Sequence, residues 1–197
     1  MHAIWFFVTD CGDSAVTVPL ALLTLAFLVA ARQRRHAFVW ALTIGGCAVA
    51  IGVLKLAFGT CGERIPLGPI VSPSGHTAMS TAIYGSLALL VAARLSPSRR
   101  ISVYGAAAVA VIGIALSRVV LHEHNLPEVV LGWVVGAGAV VFFGVALRRE
   151  AAPVLPVTWL LLCGAVLVAA MHGTRWMIEP AVHRLAWDFR LALPWCR

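Results

Sequence analysis

The sequence of 197 residues carries little charge: 12% of its residues are Asp, Glu, Lys or Arg, whereas 61% are hydrophobic. A soluble domain usually carries about 25% charged residues, and the mean hydropathy of +0.93 is far above that of soluble domains. This composition excludes a soluble cytosolic enzyme, a nucleic-acid-binding domain and a disordered chain. The chain is therefore predicted to be an integral membrane protein.

Metal-ligand spacing is also missing, because the five cysteines form no CxxC pair. Cys47 and Cys163 fall within apolar runs and are interpreted as packing residues. Cys11 and Cys61 are candidates for a disulfide, because both are predicted to lie on the outer, oxidising side of the membrane. Cys196 is a competing partner, and the alternative is that all three thiols are free. No cluster of carboxylates suits a divalent cation, so neither a metal nor another cofactor is expected.

Long apolar runs predict six transmembrane helices, since about 20 apolar residues cross a bilayer. The predicted spans are 15–31, 37–58, 76–95, 101–121, 128–147 and 154–171. Short connections favour antiparallel neighbours in one bundle, so residues 1–197 are interpreted as a single all-α membrane domain. Residues 179–193 carry their apolar side chains on one stripe and predict a C-terminal amphipathic helix in the outer interface. The GxxxG pair Gly132 and Gly136 predicts close helix packing, with a dimer contact as the alternative.

Positive charge is concentrated in the loops that follow the first, third and fifth spans. These loops hold eight cations and one anion, and the opposite face holds the other seven cations and seven anions. An excess of Arg marks the cytoplasmic side. Both termini and the remaining two loops are therefore predicted to face outward. The basic loops that fix this orientation account for the net charge of +7, so no nucleic-acid partner is expected.

Several polar residues lie at the predicted outer ends of the spans. Lys55, the only lysine in the chain, ends the second span. His76 begins the third span after a tight turn that contains Ser74 and Gly75, and glycine permits a close backbone approach to a ligand. Free N–H groups at a helix start, with hydroxyl and imidazole side chains, form a natural anion site.

A second polar group lies between the fourth and fifth spans. Arg118 closes the fourth span, and His124 and Glu128 are four residues apart, so they share one face of a helix. The carboxylate can bind one imidazole nitrogen and leave the other for chemistry. His122 is a weaker candidate nucleophile, because Leu126 occupies the corresponding position. Asp10 and Asp13 are interpreted as caps of the first span, with a role near the site as the alternative.

Cations, two histidines, a carboxylate and N–H donors are thus predicted to meet at one membrane face. Phosphoryl transfer requires this set of groups. Cations and N–H donors hold the charged oxygens, one histidine attacks phosphorus, and the other protonates the leaving oxygen.

Two motifs at these positions resemble those of the type 2 phosphatidic acid phosphatases, the lipid phosphate phosphatase superfamily. The segment SPSGH at 72–76 is similar to the family's PSGH motif. The segment SR-x5-H-x3-E at 117–128 is similar to its SR-x5-H-x3-D motif, with Glu in place of the usual Asp. Lys55 matches the lysine of the first motif, K-x6-RP. Gly62 stands where that motif has Arg, and Arg64 is a candidate replacement.

The resemblance implies roles for these residues. His124 would be the nucleophile that forms a phosphohistidine, His76 the general acid and Glu128 the group that orients His124. The phosphoryl oxygens would be bound by Lys55, Arg118, Ser74, the Gly75 N–H and Arg64.

The implied function is hydrolysis of a membrane lipid phosphate or diphosphate at the outer face of the bacterial cytoplasmic (inner) membrane. Undecaprenyl diphosphate, phosphatidate, phosphatidylglycerophosphate and a lipid A phosphate are candidate substrates. The expected partners are this lipid and the bilayer, and the sequence does not define an oligomeric state. A lipid phosphotransferase of the same fold and a non-catalytic lipid-binding or transport protein are the alternatives.

Overall fold

The computed structural model describes residues 2–61, 70, 72–176 and 179–192, and this part of the chain is all-helical, with no strand. Each predicted span corresponds to one helix from α2 to α7, with ends that differ by a few residues. The helices are α1 (His2–Asp10), α2 (Ser14–Ala30), α3 (Arg34–Cys61), α4 (Gly75–Ala92), α5 (Pro97–Val120), α6 (Leu126–Leu147), α7 (Val157–Met171) and α8 (Glu179–Ala192).

Four helical stretches in the described residues are long and apolar enough to cross a membrane, and the first of them joins α1 to α2. They are Ala3–Ala30, Arg34–Cys61, Pro97–Val120 and Leu126–Leu147. Helix α7 is apolar but has only 15 residues. Helix α4 buries several hydroxyl side chains and packs against α3, α5 and α6. The chain is a multi-pass membrane protein, and the count of six spans stays a prediction.

Side-chain caps begin three helices at the same end of the bundle. The Oδ1 atom of Asp13 accepts a hydrogen bond from the N–H of Ala15 at 2.8 Å at the start of α2. Ser74 and Asn125 cap α4 and α6 in the same way. Each cap satisfies an N–H group that has no partner within its own helix. Since α2, α4 and α6 run in one direction, their N-terminal caps lie at one end of the bundle.

Large buried side chains hold the opposite half of the bundle together. Trp40 of α3 is buried, and its indole N–H donates to the carbonyl oxygen of Ala21 in α2 at 3.0 Å. Its ring meets Phe143 of α6 edge to face, with 5.9 Å between the ring centroids. Truncation of such aromatic side chains costs about 3–5 kcal/mol in soluble proteins. These contacts hold α2, α3 and α6 together away from the capped end of the bundle.

The cysteines differ from the predicted pairing. Cys61 is disulfide-bonded, whereas Cys11 is a free thiol that contacts the carbonyl oxygen of Phe7 in the preceding turn at 3.6 Å. The Cys11–Cys61 bridge and the alternative of three free thiols are therefore both wrong, and Cys196 lies outside the described residues. Cys47 is buried, as a packing residue should be, but Cys163 is exposed.

Helix α8 covers the segment predicted to be amphipathic and packs against the end of α3. The hydroxyl of Thr60 donates to the carbonyl oxygen of Ala186 at 3.3 Å, and Ala186 is buried in this contact. Leu185, Trp187 and Phe189 are exposed large apolar side chains on the same helix. The position of α8 in the membrane interface stays a prediction.

Candidate active site

A cavity of about 820 Å³ lies at the end of the bundle where α3 and α5 end and where α4 and α6 begin. Of the predicted site residues, Arg64 lies outside the described part of the chain, and Ser74 is not part of the cavity wall. The others all line the cavity: Lys55, Gly75, His76, Arg118, His124 and Glu128.

His124 and Glu128 form a buried pair. The Nδ1 atom of the imidazole lies 3.0 Å from Oε2 of the carboxylate. The short loop after α5 holds His124 in place, because its backbone N–H donates to the carbonyl oxygen of Arg118 at 3.1 Å. With Nδ1 facing the carboxylate, Nε2 is the ring nitrogen suited to attack a ligand.

Glu128 also connects three parts of the site. Its Oε2 atom accepts the N–H of Asn125 at 3.1 Å, and Asn125 accepts the N–H of Glu128 at 3.0 Å, which completes a capping box at the start of α6. The other oxygen, Oε1, accepts the N–H of Ser72 at 2.8 Å. One carboxylate therefore binds the histidine, the α6 cap and the loop that leads into α4.

Lys55 reaches the same loop from the last part of α3. Its ammonium group donates to the hydroxyl of Ser72 at 3.3 Å. A Cβ atom placed on Gly75 would lie 3.3 Å from Cε of Lys55, so the lysine side chain crosses the start of α4 at close range. This arrangement brings a cation and the N-terminus of α4 together, and both attract anions.

Arg118 is buried at the end of α5 and contacts two other segments. Its guanidinium donates to the hydroxyl of Thr9 in α1 at 3.0 Å and lies 3.6 Å from the exposed carboxylate of Glu123. Because Glu123 is half exposed, this ion pair contributes little to stability. The guanidinium is thus a second cation in the cavity wall.

His76 lies in the first turn of α4 and is partly exposed in the cavity. Its Nε2 atom is 3.4 Å from Oδ2 of Asp13, the residue that caps α2. Three histidines line the cavity. His76 faces Asp13, His124 faces Glu128, and His122 lies exposed in the loop after α5.

Ser74 is buried beneath the cavity floor. Its hydroxyl accepts hydrogen bonds from the N–H and the hydroxyl of Thr77, at 3.4 and 3.0 Å. Its backbone N–H donates to the carbonyl oxygen of Glu128 at 3.1 Å. The phosphate-binding role predicted for Ser74 stays a prediction, whereas the neighbouring Ser72 lines the cavity.

The two glycines of the GxxxG pair in α6 pack against α4. A Cβ atom on Gly132 would clash with the carbonyl oxygen of Ser74, and one on Gly136 would lie 2.5 Å from the carbonyl oxygen of Ala78. The prediction of close helix packing is confirmed, and these glycines set the distance between the two helices that carry the histidine motifs.

Gly132→Ala is expected to lower the thermal stability of the protein in detergent. Ala normally stabilises a helix by about 1 kcal/mol relative to Gly, but overpacking at this contact costs about 1–3 kcal/mol. Gly138→Ala is the matched control on the same helix, because a Cβ there meets nothing within 4 Å. The midpoint temperature of thermal unfolding should fall for Gly132→Ala and rise for Gly138→Ala. Equal midpoints in the two variants would contradict the packing role of Gly132.

Two residues far along the chain also line the cavity. Arg175 donates to Oδ1 of Asp10 at 3.1 Å, and its guanidinium carbon lies 5.3 Å from the ring centroid of Phe6. The N–H of Trp176 donates to Oδ1 of Asp13 at 3.2 Å. No local sequence pattern marks these residues as part of a site, since only the fold brings residues 175–176 beside α1 and α2.

This multi-pass helical bundle has one cavity lined by two histidine–carboxylate pairs and by the cations Lys55, Arg118 and Arg175, which are the features of a membrane phosphatase. Residues 59–151 match the model of the PAP2 superfamily. A protein from Klebsiella pneumoniae, described as "Uncharacterized 22.5 kDa protein in cps region", is 32% identical over 152 residues, which cover 76% of this chain and 72% of that protein. No solved structure matches.

The chain belongs to the PAP2 superfamily. Members of this superfamily are generally phosphatases, and membership supports a phosphoric ester hydrolase that acts on lipid phosphates. The matched region contains both histidine motifs, whereas Lys55 precedes it.

Proposed function

We propose that this protein removes phosphate from a membrane lipid phosphate or diphosphate through a phosphohistidine on His124. The observation that supports this best is the His124–Glu128 pair, which lies in the same cavity wall as His76, Lys55 and Arg118. The pair supplies an oriented nucleophile, and the cations supply electrostatic stabilisation for the charge that develops on the phosphoryl oxygens.

In the first step, Nε2 of His124 attacks phosphorus, and the bond from phosphorus to the leaving oxygen breaks. A protonated His76 gives its proton to that oxygen. In the second step, neutral His76 takes a proton from water, the water oxygen bonds to phosphorus, and the bond from phosphorus to nitrogen breaks. Arg118, Lys55 and the N–H of Gly75 bind the phosphoryl oxygens in both steps.

The proposed orientation places the cavity at the outer face of the cytoplasmic (inner) membrane. The arginine-rich loops lie together at the other end of the bundle, where Arg94 donates to the carbonyl oxygens of Ala152 and Pro153, each at 3.0 Å. Arg35 and Glu150 are 3.9 Å apart at the same end. Excess Arg marks the cytoplasmic side, and lipid headgroups of the outer leaflet would then lie at the depth of the site.

Labelling of single cysteines in intact cells tests this orientation. Glu123→Cys lies at the cavity end and Arg99→Cys at the arginine-rich end, and both native side chains are exposed. In a background without the free thiols Cys11 and Cys163, an impermeant maleimide should label only the Glu123→Cys variant. Labelling of only the Arg99→Cys variant would reverse the orientation.

Phosphate release by purified protein in detergent tests the function. The lipids to test are undecaprenyl diphosphate, phosphatidate, phosphatidylglycerophosphate and a lipid A phosphate. Activity should persist in EDTA, since the proposed chemistry uses cationic side chains where other phosphatases use metal ions. Loss of activity in EDTA, with rescue by Mg²⁺, would contradict the metal-free mechanism. Absence of phosphate release from every lipid would favour a binding or transport role. Release only with an added lipid acceptor would favour a phosphotransferase.

A further inference from the structure

Asp13 lies outside both histidine motifs, yet its carboxylate faces one of the two histidines. It is buried at the start of α2, and its Oδ2 atom is 3.4 Å from Nε2 of His76. The residue comes from a part of the chain more than 60 positions before His76. A cap at the start of a helix requires only one oxygen, so the contact of the second oxygen needs a separate explanation.

The first oxygen of Asp13 holds the carboxylate in a fixed direction. Oδ1 accepts the N–H of Ala15 at 2.8 Å and the N–H of Trp176 at 3.2 Å. These two N–H groups belong to different segments, one in α2 and one between α7 and α8. A carboxylate bound in this way is directed toward His76 with little freedom to rotate away.

The carboxylates in the cavity wall have different partners. Asp10 faces Arg175, and Glu123 faces Arg118. The other two face imidazoles, as the pairs Glu128–His124 and Asp13–His76. Asp13 is thus the carboxylate at ion-pair distance from His76 in a cavity that Lys55 and Arg118 also line.

We propose that Asp13 is a positioning residue for His76, which it holds in the orientation that a general acid requires. This inference rests on the proposed function. When the bond to the leaving oxygen breaks, the imidazolium of His76 gives up a proton to that oxygen from the ring nitrogen that does not face Asp13. The carboxylate remains ionised throughout, and His76 becomes neutral, ready to accept the proton of the attacking water.

Leaving-group dependence separates this role from a structural one. A poor leaving group such as a lipid alcohol needs a proton, whereas p-nitrophenolate leaves without one. Asp13→Asn should therefore lower kcat/KM for the lipid phosphate by about 10- to 100-fold, a part of what general acid catalysis contributes. For p-nitrophenyl phosphate, kcat/KM should stay within about threefold of wild type, since it reports only the steps up to departure of the leaving group.

A double-mutant cycle with His76→Ala gives the second readout. If Asp13 acts through His76, then Asp13→Asn should add little further loss in the His76→Ala background. Asn and Ser are N-cap residues as good as Asp, so Asp13→Ser serves as a second uncharged variant that keeps the helix start. Glu150→Gln removes a carboxylate at the other end of the bundle and is the matched control. It should leave kcat/KM unchanged for both substrates.

The positioning role of Asp13 would be overturned if Asp13→Asn lowered kcat/KM equally for the lipid phosphate and for p-nitrophenyl phosphate. It would also be overturned if the losses of Asp13→Asn and His76→Ala added in the double variant. Loss of folded protein in both Asp13 variants would also overturn it, because Asp13 would then serve the α2 cap alone. A wild-type protein that turns over neither substrate would overturn the proposed function itself, which the activity of the wild-type control distinguishes from the other outcomes.

Discussion

His124→Ala is expected to abolish turnover, with a loss of at least about 10⁴-fold in kcat, and to form no phosphoenzyme. The imidazole supplies the atom that bonds to phosphorus, and no other histidine has a carboxylate four residues later in the described site. Acid-labile phosphoenzyme can be trapped with labelled substrate by rapid mixing and quenching under alkaline conditions. His76→Ala should still trap some phosphohistidine when the substrate has a good leaving group.

The neighbouring His122 provides a control. It is exposed and adopts a left-handed backbone conformation, with φ of 57°, at the end of α5. His122→Asn suits that conformation, because Asn tolerates positive φ better than most residues. This variant should form phosphoenzyme at a rate near that of wild type. Phosphoenzyme in His124→Ala and none in His122→Asn would move the nucleophile to residue 122.

Glu128→Gln is expected to lower kcat by about 10²–10⁴-fold, by analogy with carboxylate-to-amide changes in catalytic triads. Gln removes the charge that orients His124 and stabilises its imidazolium form. It keeps the size of Glu and also suits the capping box at the start of α6, so the fold should persist. Steady-state kinetics and thermal unfolding in detergent measure the two effects separately.

Glu128→Asp should retain more activity than Glu128→Gln, because the charge remains. The shorter side chain must still reach His124, Asn125 and Ser72, which Glu128 now contacts at 3.0, 3.1 and 2.8 Å. We therefore expect an intermediate kcat. A wild-type rate in Glu128→Gln, beside an inactive His124→Ala, would mean that another group holds the nucleophile.

The motif spacing predicted the pair of His124 and Glu128, and the contact forms. His124 nevertheless lies in the loop before α6, and only Glu128 lies on that helix, so the expectation that both share one face of a helix is wrong. The alternating direction of the spans also predicted that Lys55, His76 and Arg118 lie near them, since Lys55 and Arg118 end their spans and His76 begins its span at the same face of the membrane. The motif position of Ser74 did not predict where its hydroxyl lies. That hydroxyl caps α4 and does not line the cavity, because a serine before a helix readily accepts a hydrogen bond from the helix backbone. Ser72 lines the cavity instead.

The sequence by itself determined the membrane class, the helices α2 to α7 and the position of the site at one end of the bundle. These properties follow from the lengths of the apolar runs and from the positions of polar residues at their ends, which are local quantities. Only the tertiary structure decided that Asp13 faces His76, that Arg175 lines the cavity and that Cys11 is not the partner of Cys61. These contacts join segments far apart in the chain, and their distances depend on how closely whole helices pack, which the contact of Gly132 with Ser74 sets for α4 and α6.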